Sequence, residues 1–144
     1  MINFMLGLGI MFICLILQAL LITVAVQFYA RHQGPGKPTF VGTVTLIGSV
    51  MVVLVVGNFL QIGVWGAVFV QLGEFEDLNT AFYHSAVNFA TLGYGDIVMS
   101  EAHRVLGPVQ AINGVLMVGV STSVLMTALQ DAVRRTREAK LSAI

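Results

Sequence analysis

Charged residues are scarce in this chain of 144 residues: they make up 10% of it, against about 25% in soluble domains. Hydrophobic residues make up 57%, so most of the surface faces something other than water and a soluble enzyme is disfavoured. The formal net charge of zero argues against a nucleic-acid partner, which requires a clustered basic face. The single cysteine, Cys14, excludes an intramolecular disulfide and a cysteine-based zinc site.

Catalytic motifs are absent as well. The sequence contains no G-x-S-x-G, no H-E-x-x-H, no phosphate loop and no carboxylate pair within an apolar stretch. We therefore expect that the protein is not an enzyme, holds no cofactor and has no small-molecule substrate.

Four long stretches carry no charge: 1–30, 38–73, 78–95 and 105–130. A helix needs about 20 apolar residues to cross a bilayer, so the first, second and fourth stretches are long enough. The third has only 18 residues and contains polar side chains and glycines. It predicts a re-entrant element, a short helix followed by extended chain, which is tolerated at membrane depth only where protein or water covers it. Gly34–Pro38 predicts the turn between the first two spans.

The basic residues predict the orientation of these spans. Six of the seven lie in 31–37 and in the tail after 133, so that side is expected to be cytoplasmic and the N-terminus outside. The opposite side holds five acidic residues and one basic residue. Acidic groups at a mouth concentrate cations; alternatively, they only follow the same charge bias. The protein is expected in the cell membrane, as a multi-pass chain surrounded by lipid.

The segment Thr91-Leu92-Gly93-Tyr94-Gly95-Asp96 carries the chemistry of the third stretch. Its two glycines permit a backbone of alternating handedness, because glycine reaches positive φ without steric cost. Such a backbone points successive carbonyl oxygens to one side, where they can replace the water around a cation. The dipole of the preceding helix places partial negative charge at its C-terminal end, which also favours a cation.

This segment resembles the potassium-channel selectivity filter and matches the TVGYGD form at five of six positions, with Leu92 in place of valine. The resemblance spans roughly 41–132 and implies a homotetrameric K⁺ channel. It implies K⁺ ligands at the carbonyls of Thr91, Leu92, Gly93 and Tyr94 and at the Thr91 hydroxyl, within a filter Thr91–Gly95. The competing interpretation is a glycine-rich turn anchored at the membrane interface by Tyr94.

On this basis the fold class is an all-α membrane protein: three transmembrane helices, a re-entrant pore helix with a selectivity-filter loop, and a homotetrameric pore. The expected organisation is an additional N-terminal transmembrane helix (1–30), a cytoplasmic turn (31–40), a pore domain (41–133) and a short cytoplasmic tail (134–144). Within the pore domain we expect an outer helix (41–72), a pore helix (78–90), the filter (91–96) and an inner helix (104–133).

Four residues are predicted to support the filter: Asp96, Tyr83, Val87 and Ala90. Ala90 stands where many family members have a second threonine, and Val87 where some have a buried glutamate. Asp96 matches the carboxylate that follows the filter in the family. Because a glutamate partner is missing, we expect the Tyr83 hydroxyl to donate to Asp96; alternatively, Asp96 is a solvated acid at the mouth.

The last span provides candidates for the pore wall. Met117, Ser121, Val124 and Ala128 recur at helical spacing and are expected to line the pore or gate, with ordinary helix packing as the alternative. Gly114 and Gly119 are possible hinges, or positions where helices approach closely. Asn58 and Gln61 are expected to bond between helices.

The sequence therefore predicts passive K⁺ conduction through backbone carbonyls. Two alternatives remain open: a weakly selective cation channel, since Ala90 and Leu92 alter the filter region, and a non-conducting accessory or scaffold subunit.

Overall fold

A computed structural model describes residues 1–32 and 39–141 of the chain. Within them lie four helices: α1 (Ile2–His32), α2 (Phe40–Gln71), α3 (Leu78–Phe89) and α4 (Leu106–Leu141). Three of these, α1, α2 and α4, are long and apolar enough to cross a membrane, whereas α3 has 12 residues. The predicted order of two long helices, a short one and a long one is therefore found. The expected turn Gly34–Pro38 lies outside the described residues.

Local side-chain contacts explain where α2 and α3 begin. The Thr39 hydroxyl accepts from the Gly42 amide at 3.2 Å ahead of α2, and the Asp77 carboxylate accepts from the Thr80 amide at 2.8 Å ahead of α3. Asp77 thereby satisfies a free amide of the first turn of α3.

The bounds of α4 differ from the expected 104–133 at both ends. Residues 101–105 form turns before the helix, and the expected tail begins as helix, since α4 continues to Leu141. Asp131 stabilises this continuation through ion pairs with Arg134 at 2.7 Å and Arg135 at 2.8 Å, three and four residues further on and on the same helix face.

The long helices form a bundle in which α3 occupies one end. We call this the loop end; the opposite end, which holds His32 and Leu141, is the tail end. At the loop end one buried cluster joins all four helices: Ile10, Cys14, Trp65, Phe69, Ala81, Leu106 and Val109. Towards the tail end a second cluster joins Ala25 of α1 to Val50 and Leu54 of α2.

Outward-facing apolar side chains are numerous on the three long helices, for example Leu20, Val52 and Val118. In a soluble monomer such continuous apolar faces would be unusual. They fit helices that contact lipid or further protein.

Candidate functional site

The loop that follows α3 has an alternating backbone. Thr91, Gly93 and Gly95 have positive φ angles of 59°, 57° and 73°, and the residues between them do not. The two glycines adopt this region freely, as the sequence indicates. Thr91 was not expected to do so, because positive φ is a genuine outlier for a β-branched residue.

The loop is anchored where it leaves α3. The Thr91 amide donates to the Asn88 oxygen and the Leu92 amide to the Val87 oxygen, both at 2.9 Å. Over residues 1–32 and 39–141, no donor reaches the carbonyl oxygens of Thr91–Gly95. Leu92 is 54% exposed and Tyr94 66% exposed. The carbonyl groups of this loop are therefore available to a ligand outside the chain.

The chain that leaves the loop returns alongside α3. The Tyr83 hydroxyl donates to Asp96 Oδ2 at 2.7 Å, which is the hydrogen bond predicted from the sequence. One residue further on, the Ile97 oxygen lies 3.0 Å from His84 Nδ1, while His84 Nε2 lies 2.9 Å from Asn88 Nδ2. These two contacts fit a neutral imidazole that donates from Nδ1 and accepts at Nε2.

The hydrogen bond between Tyr83 and Asp96 shifts both groups. It raises the pKa of the Tyr83 hydroxyl and lowers the pKa of the Asp96 carboxyl. The direction is physically simple, because a donor stabilises the ionised carboxylate while the phenol must keep its proton to donate.

The other two predicted support residues differ in position. Val87 is buried in α3, and its carbonyl oxygen anchors Leu92. Ala90 is the exposed C-cap of α3. An open cavity of about 430 Å³ lies between the loop, α3 and the start of α4, lined in part by Val87, Thr91 and Pro108. The back of the loop is therefore not filled by its own chain.

Buried polar side chains fix α3 between α2 and α4. The Ser85 hydroxyl donates to the Ile62 oxygen of α2 at 2.7 Å, and Gln110 Nε2 of α4 donates to the Ser85 oxygen at 3.1 Å. Gly114 allows α4 to approach the end of α3 closely, because a Cβ at position 114 would lie 2.0 Å from the Phe89 oxygen. Sequence reasoning missed Ser85, since its partner is a main-chain oxygen of another helix and leaves no pattern.

Sequence reasoning also missed a contact at the loop end, in which Glu74 binds Ser100 and His103. Glu74, whose side chain is 5% exposed, accepts from the Ser100 amide at 2.6 Å and pairs with His103 Nδ1 at 2.5 Å. Burial alone would raise the pKa of Glu74, but the hydrogen bonds from Ser100 and His103 outweigh it and lower the pKa. Glu74 thereby ties the end of α2 to the segment that precedes α4.

The expected pore stripe on α4 is wrong. Met117 is 0% exposed and packs with Ile62 and Phe89, and Val124 packs against the tail-end cluster of α1 and α2. Ser121 Oγ accepts from Gln18 Nε2 at 2.9 Å, and the Ala128 oxygen accepts from the Tyr29 hydroxyl at 3.1 Å. Helical spacing identifies a shared face but not its neighbour, and here α1, α2 and α3 cover that face.

The two hinge candidates on α4 have different surroundings. Gly114 is explained by its close approach to Phe89, whereas a Cβ at Gly119 would meet nothing within 4 Å. A hinge at either position stays a prediction.

The exposed part of α4 divides into two faces. One carries small or polar residues at helical spacing, Gly119, Ser123, Thr127 and Gln130, which follow the exposed apolar Ile112 and Leu116 on the same side. The other carries mainly large apolar residues, Val115, Val118, Met126, Leu129 and Val133, with the exposed Thr122 among them. We call these the polar face and the apolar face of α4.

A family model described as ion channel matches residues 59–131, just over half of the chain. The chain belongs to the ion channel family. The matched part of this channel begins within α2, contains α3 and the loop, and ends at Asp131, so it excludes α1. No curated protein and no solved structure matches the chain.

The family and the three long apolar helices together indicate a multi-pass membrane channel. Within the described ranges, His, Cys, Asp and Glu side chains form no group of three suited to a metal ion.

Proposed function

We propose that this channel conducts K⁺ passively through a homotetrameric pore, with the carbonyl oxygens of Thr91–Gly95 from four copies surrounding the ion path. One observation carries the proposal. The φ angles alternate in sign from Thr91 to Gly95, and no described donor occupies the oxygens of these residues.

Such a loop has the chemistry to hold a dehydrated monovalent cation. Alternating handedness turns successive carbonyl dipoles to one side, and rings of such dipoles replace the hydration shell of the ion. The C-terminal end of α3 lies beside Thr91 and adds a partial negative charge of about half an elementary charge per helix. The Thr91 hydroxyl adds a further oxygen below the carbonyls.

Several copies are needed because a single chain supplies oxygens from one side only. Closed cyclic symmetry is the simple way to complete a ring. Leu92 and Tyr94 are exposed in the single chain, and the cavity behind the loop is open. Both features fit a surface that a neighbouring copy covers.

In place of the stripe from Met117 to Ala128, we propose that the polar face of α4 lines the pore. Water and ions favour small and hydroxyl side chains, whereas lipid favours the apolar face. Ser123 and Thr127 then face the ions on the tail-end side of the filter. With the basic residues at the tail end, the positive-inside bias makes that end cytoplasmic.

The test is the reversal potential of the purified protein in planar bilayers under opposed K⁺ and Na⁺ gradients. We expect a value close to the K⁺ equilibrium potential from a species with the mass of four chains. Gly93→Ala should abolish this current, because it places a Cβ at a φ of 57°; Gly48→Ala, which meets open space on α2, should not.

Other outcomes identify the alternatives. A reversal potential near zero under these gradients indicates a weakly selective cation channel. A tetramer without flux indicates an accessory or scaffold subunit. A monomeric protein contradicts the proposed pore.

The wall assignment has its own test in a Cys14→Ala background. We expect a charged thiol reagent to block current in Ser123→Cys and Thr127→Cys, and to leave Val118→Cys on the apolar face unaffected. Block only at position 118 would reverse the assignment of the two faces.

A further inference from the structure

We propose that α1 positions the inner helix α4 and thereby sets the balance between its closed and open arrangements, with Gln18 as the principal positioning residue. Helix α1 lies outside the region matched by the family model, so the family match assigns it no role. The proposal rests on channel function, not on K⁺ selectivity.

Gln18 lies at the centre of a chain of side-chain amides inside the bundle. It is 2% exposed, its Nε2 donates to Ser121 Oγ of α4 at 2.9 Å, and its Oε1 accepts from Gln61 Nε2 of α2 at 2.7 Å. Gln61 Oε1 in turn lies 3.4 Å from Asn113 Nδ2 of α4. Both ends of the Gln18 amide are therefore used to join α4 to α2 through α1.

The contact between α1 and α4 continues in both directions from Gln18. Towards the tail end, the Tyr29 hydroxyl lies 3.1 Å from the Ala128 oxygen and 3.3 Å from Asp131 Oδ2. Towards the loop end, a Cβ on Gly7 would lie 3.1 Å from both Leu106 and Val109. Helix α1 therefore follows α4 over most of the bundle.

Two parts of α4 contact different neighbours. At Gly114 the helix is pressed against the end of α3, whereas at Ser121 and Ala128 it is hydrogen-bonded to α1. Gly119, where a Cβ would meet open space, lies between the two parts. Movement of the tail-end part relative to the filter must therefore carry α1 along or break the bonds to Gln18 and Tyr29.

A shift in the closed–open balance requires contacts that differ between the two arrangements. The hydrogen bond between Gln18 and Ser121 joins two elements that would move relative to each other, so it is such a contact. A membrane interhelical hydrogen bond of average strength corresponds to about a threefold change in an equilibrium constant.

The experiment is a double-mutant cycle on single-channel open probability with Gln18→Leu, Ser121→Ala and both together. We expect each single variant to shift the closed–open equilibrium about threefold in the same direction. The double variant should shift it no further than the larger single one, because both remove the same bond. Gln27→Leu is the matched control, the same change at an exposed position of α1, and should leave open probability unchanged.

Unitary conductance and reversal potential separate positioning from general damage, and both should stay at wild-type values in all variants. Tyr29→Phe provides a second, independent variant, which should shift open probability without altering conductance. Additive effects in the cycle, or no shift in either Gln18→Leu or Tyr29→Phe, would overturn the proposal.

A readout without current keeps this proposal separate from the proposed function. In detergent-solubilised protein, Gln18→Leu should raise amide hydrogen exchange in residues 121–132 of α4 relative to Gln27→Leu. If the wild type carries no current but this exchange rises, the proposed function fails while the role of α1 in positioning α4 stands. Unchanged exchange contradicts that role directly.

Discussion

Gln18, Gln61 and Asn113 form a cluster of buried side-chain amides within the bundle, which we call the amide cluster. The polar groups of this cluster and those of the loop after α3 find their partners in opposite ways. In the cluster, Gln18 and Gln61 bond through side chains to partners in the same chain. In the loop, the oxygens of Thr91–Gly95 belong to the main chain and have no donor among the described residues. Buried polar groups in a membrane protein need partners. Gln18 and Gln61 find theirs within the chain, whereas the loop oxygens have none among the described residues.

The two regions also differ in backbone conformation. The cluster lies on regular helices, whereas the loop holds Thr91 at a φ of 59°. A strained conformation persists when its surroundings over-determine it. Here the bond from Leu92 to Val87 holds one end of the loop and the bond from Tyr83 to Asp96 holds the other.

The largest expected effect is a loss of K⁺ current from a substitution in the loop that leaves the amide cluster intact. Gly95→Ala should lower K⁺ current at least about 100-fold, because alanine at a φ of 73° costs about 1–2 kcal/mol per chain and every copy carries it. The melting temperature of the bundle should change little. Current is measured in bilayers and melting by circular dichroism, with Gly48→Ala as the control. Wild-type current in Gly95→Ala would contradict the role of the loop.

The second prediction concerns the amide cluster, which a substitution at Gln61 disrupts. Gln61→Leu leaves Gln18 Oε1 and Asn113 Nδ2 without their partner and should destabilise the bundle by about 1–2 kcal/mol. The reversal potential of the remaining channels should stay unchanged. Gln71→Leu, at the exposed end of α2, is the control for thermal melting. A changed reversal potential would mean that cluster and loop are not independent.

A smaller effect is expected where the loop returns to α3. Tyr83→Phe removes the donor that lowers the pKa of Asp96. A lowered folded-state pKa stabilises the loop above the ordinary value of 3.8, and this is lost as pH falls through the lowered value. Current in Tyr83→Phe should therefore fail at a higher pH than in the wild type. Identical pH profiles of current would show that the bond does not support the loop.

The smallest effect concerns thermal stability in acid. The lowered pKa of Glu74 means that its bonds to Ser100 and His103 stabilise the fold above the ordinary value of 4.5, and that this stabilisation is lost as pH falls through the lowered value. The melting temperature of the wild type should therefore fall over that acid range, and that of Glu74→Gln should fall less. Glu76→Gln, an exposed neighbour, should behave as the wild type does.

Much of the fold was predictable because membrane helices follow from length and hydropathy. The uncharged stretches predicted α1, α2 and α4, and the bounds of α1 and α2 differ from prediction by one or two residues. The end of α4 was less predictable, since the ion pairs of Asp131 extend it into a segment that composition indicates as tail. The alternating loop followed from Gly93 and Gly95, and the partner of Asp96 followed from the missing glutamate at Val87.

The neighbours of each helix face were not predictable in the same way. The stripe from Met117 to Ala128 has the spacing of a functional face, yet it contacts α1 and α2. Gln18 and Gln27 are both glutamines of α1, and only the packing of the helices makes Gln18 buried and Gln27 exposed. Ser85 and Glu74 carry no local signal, because their partners are distant in sequence.

The amino-acid order alone determined that three apolar segments are long enough to cross a membrane and that one short segment carries a loop with alternating glycines, because bilayer thickness and glycine sterics act on local sequence. Tertiary structure decided which side of α4 is covered, which glutamine joins α1 to it, and how the loop is held at both ends. Those outcomes depend on contacts between residues far apart in the chain, which no local periodicity encodes.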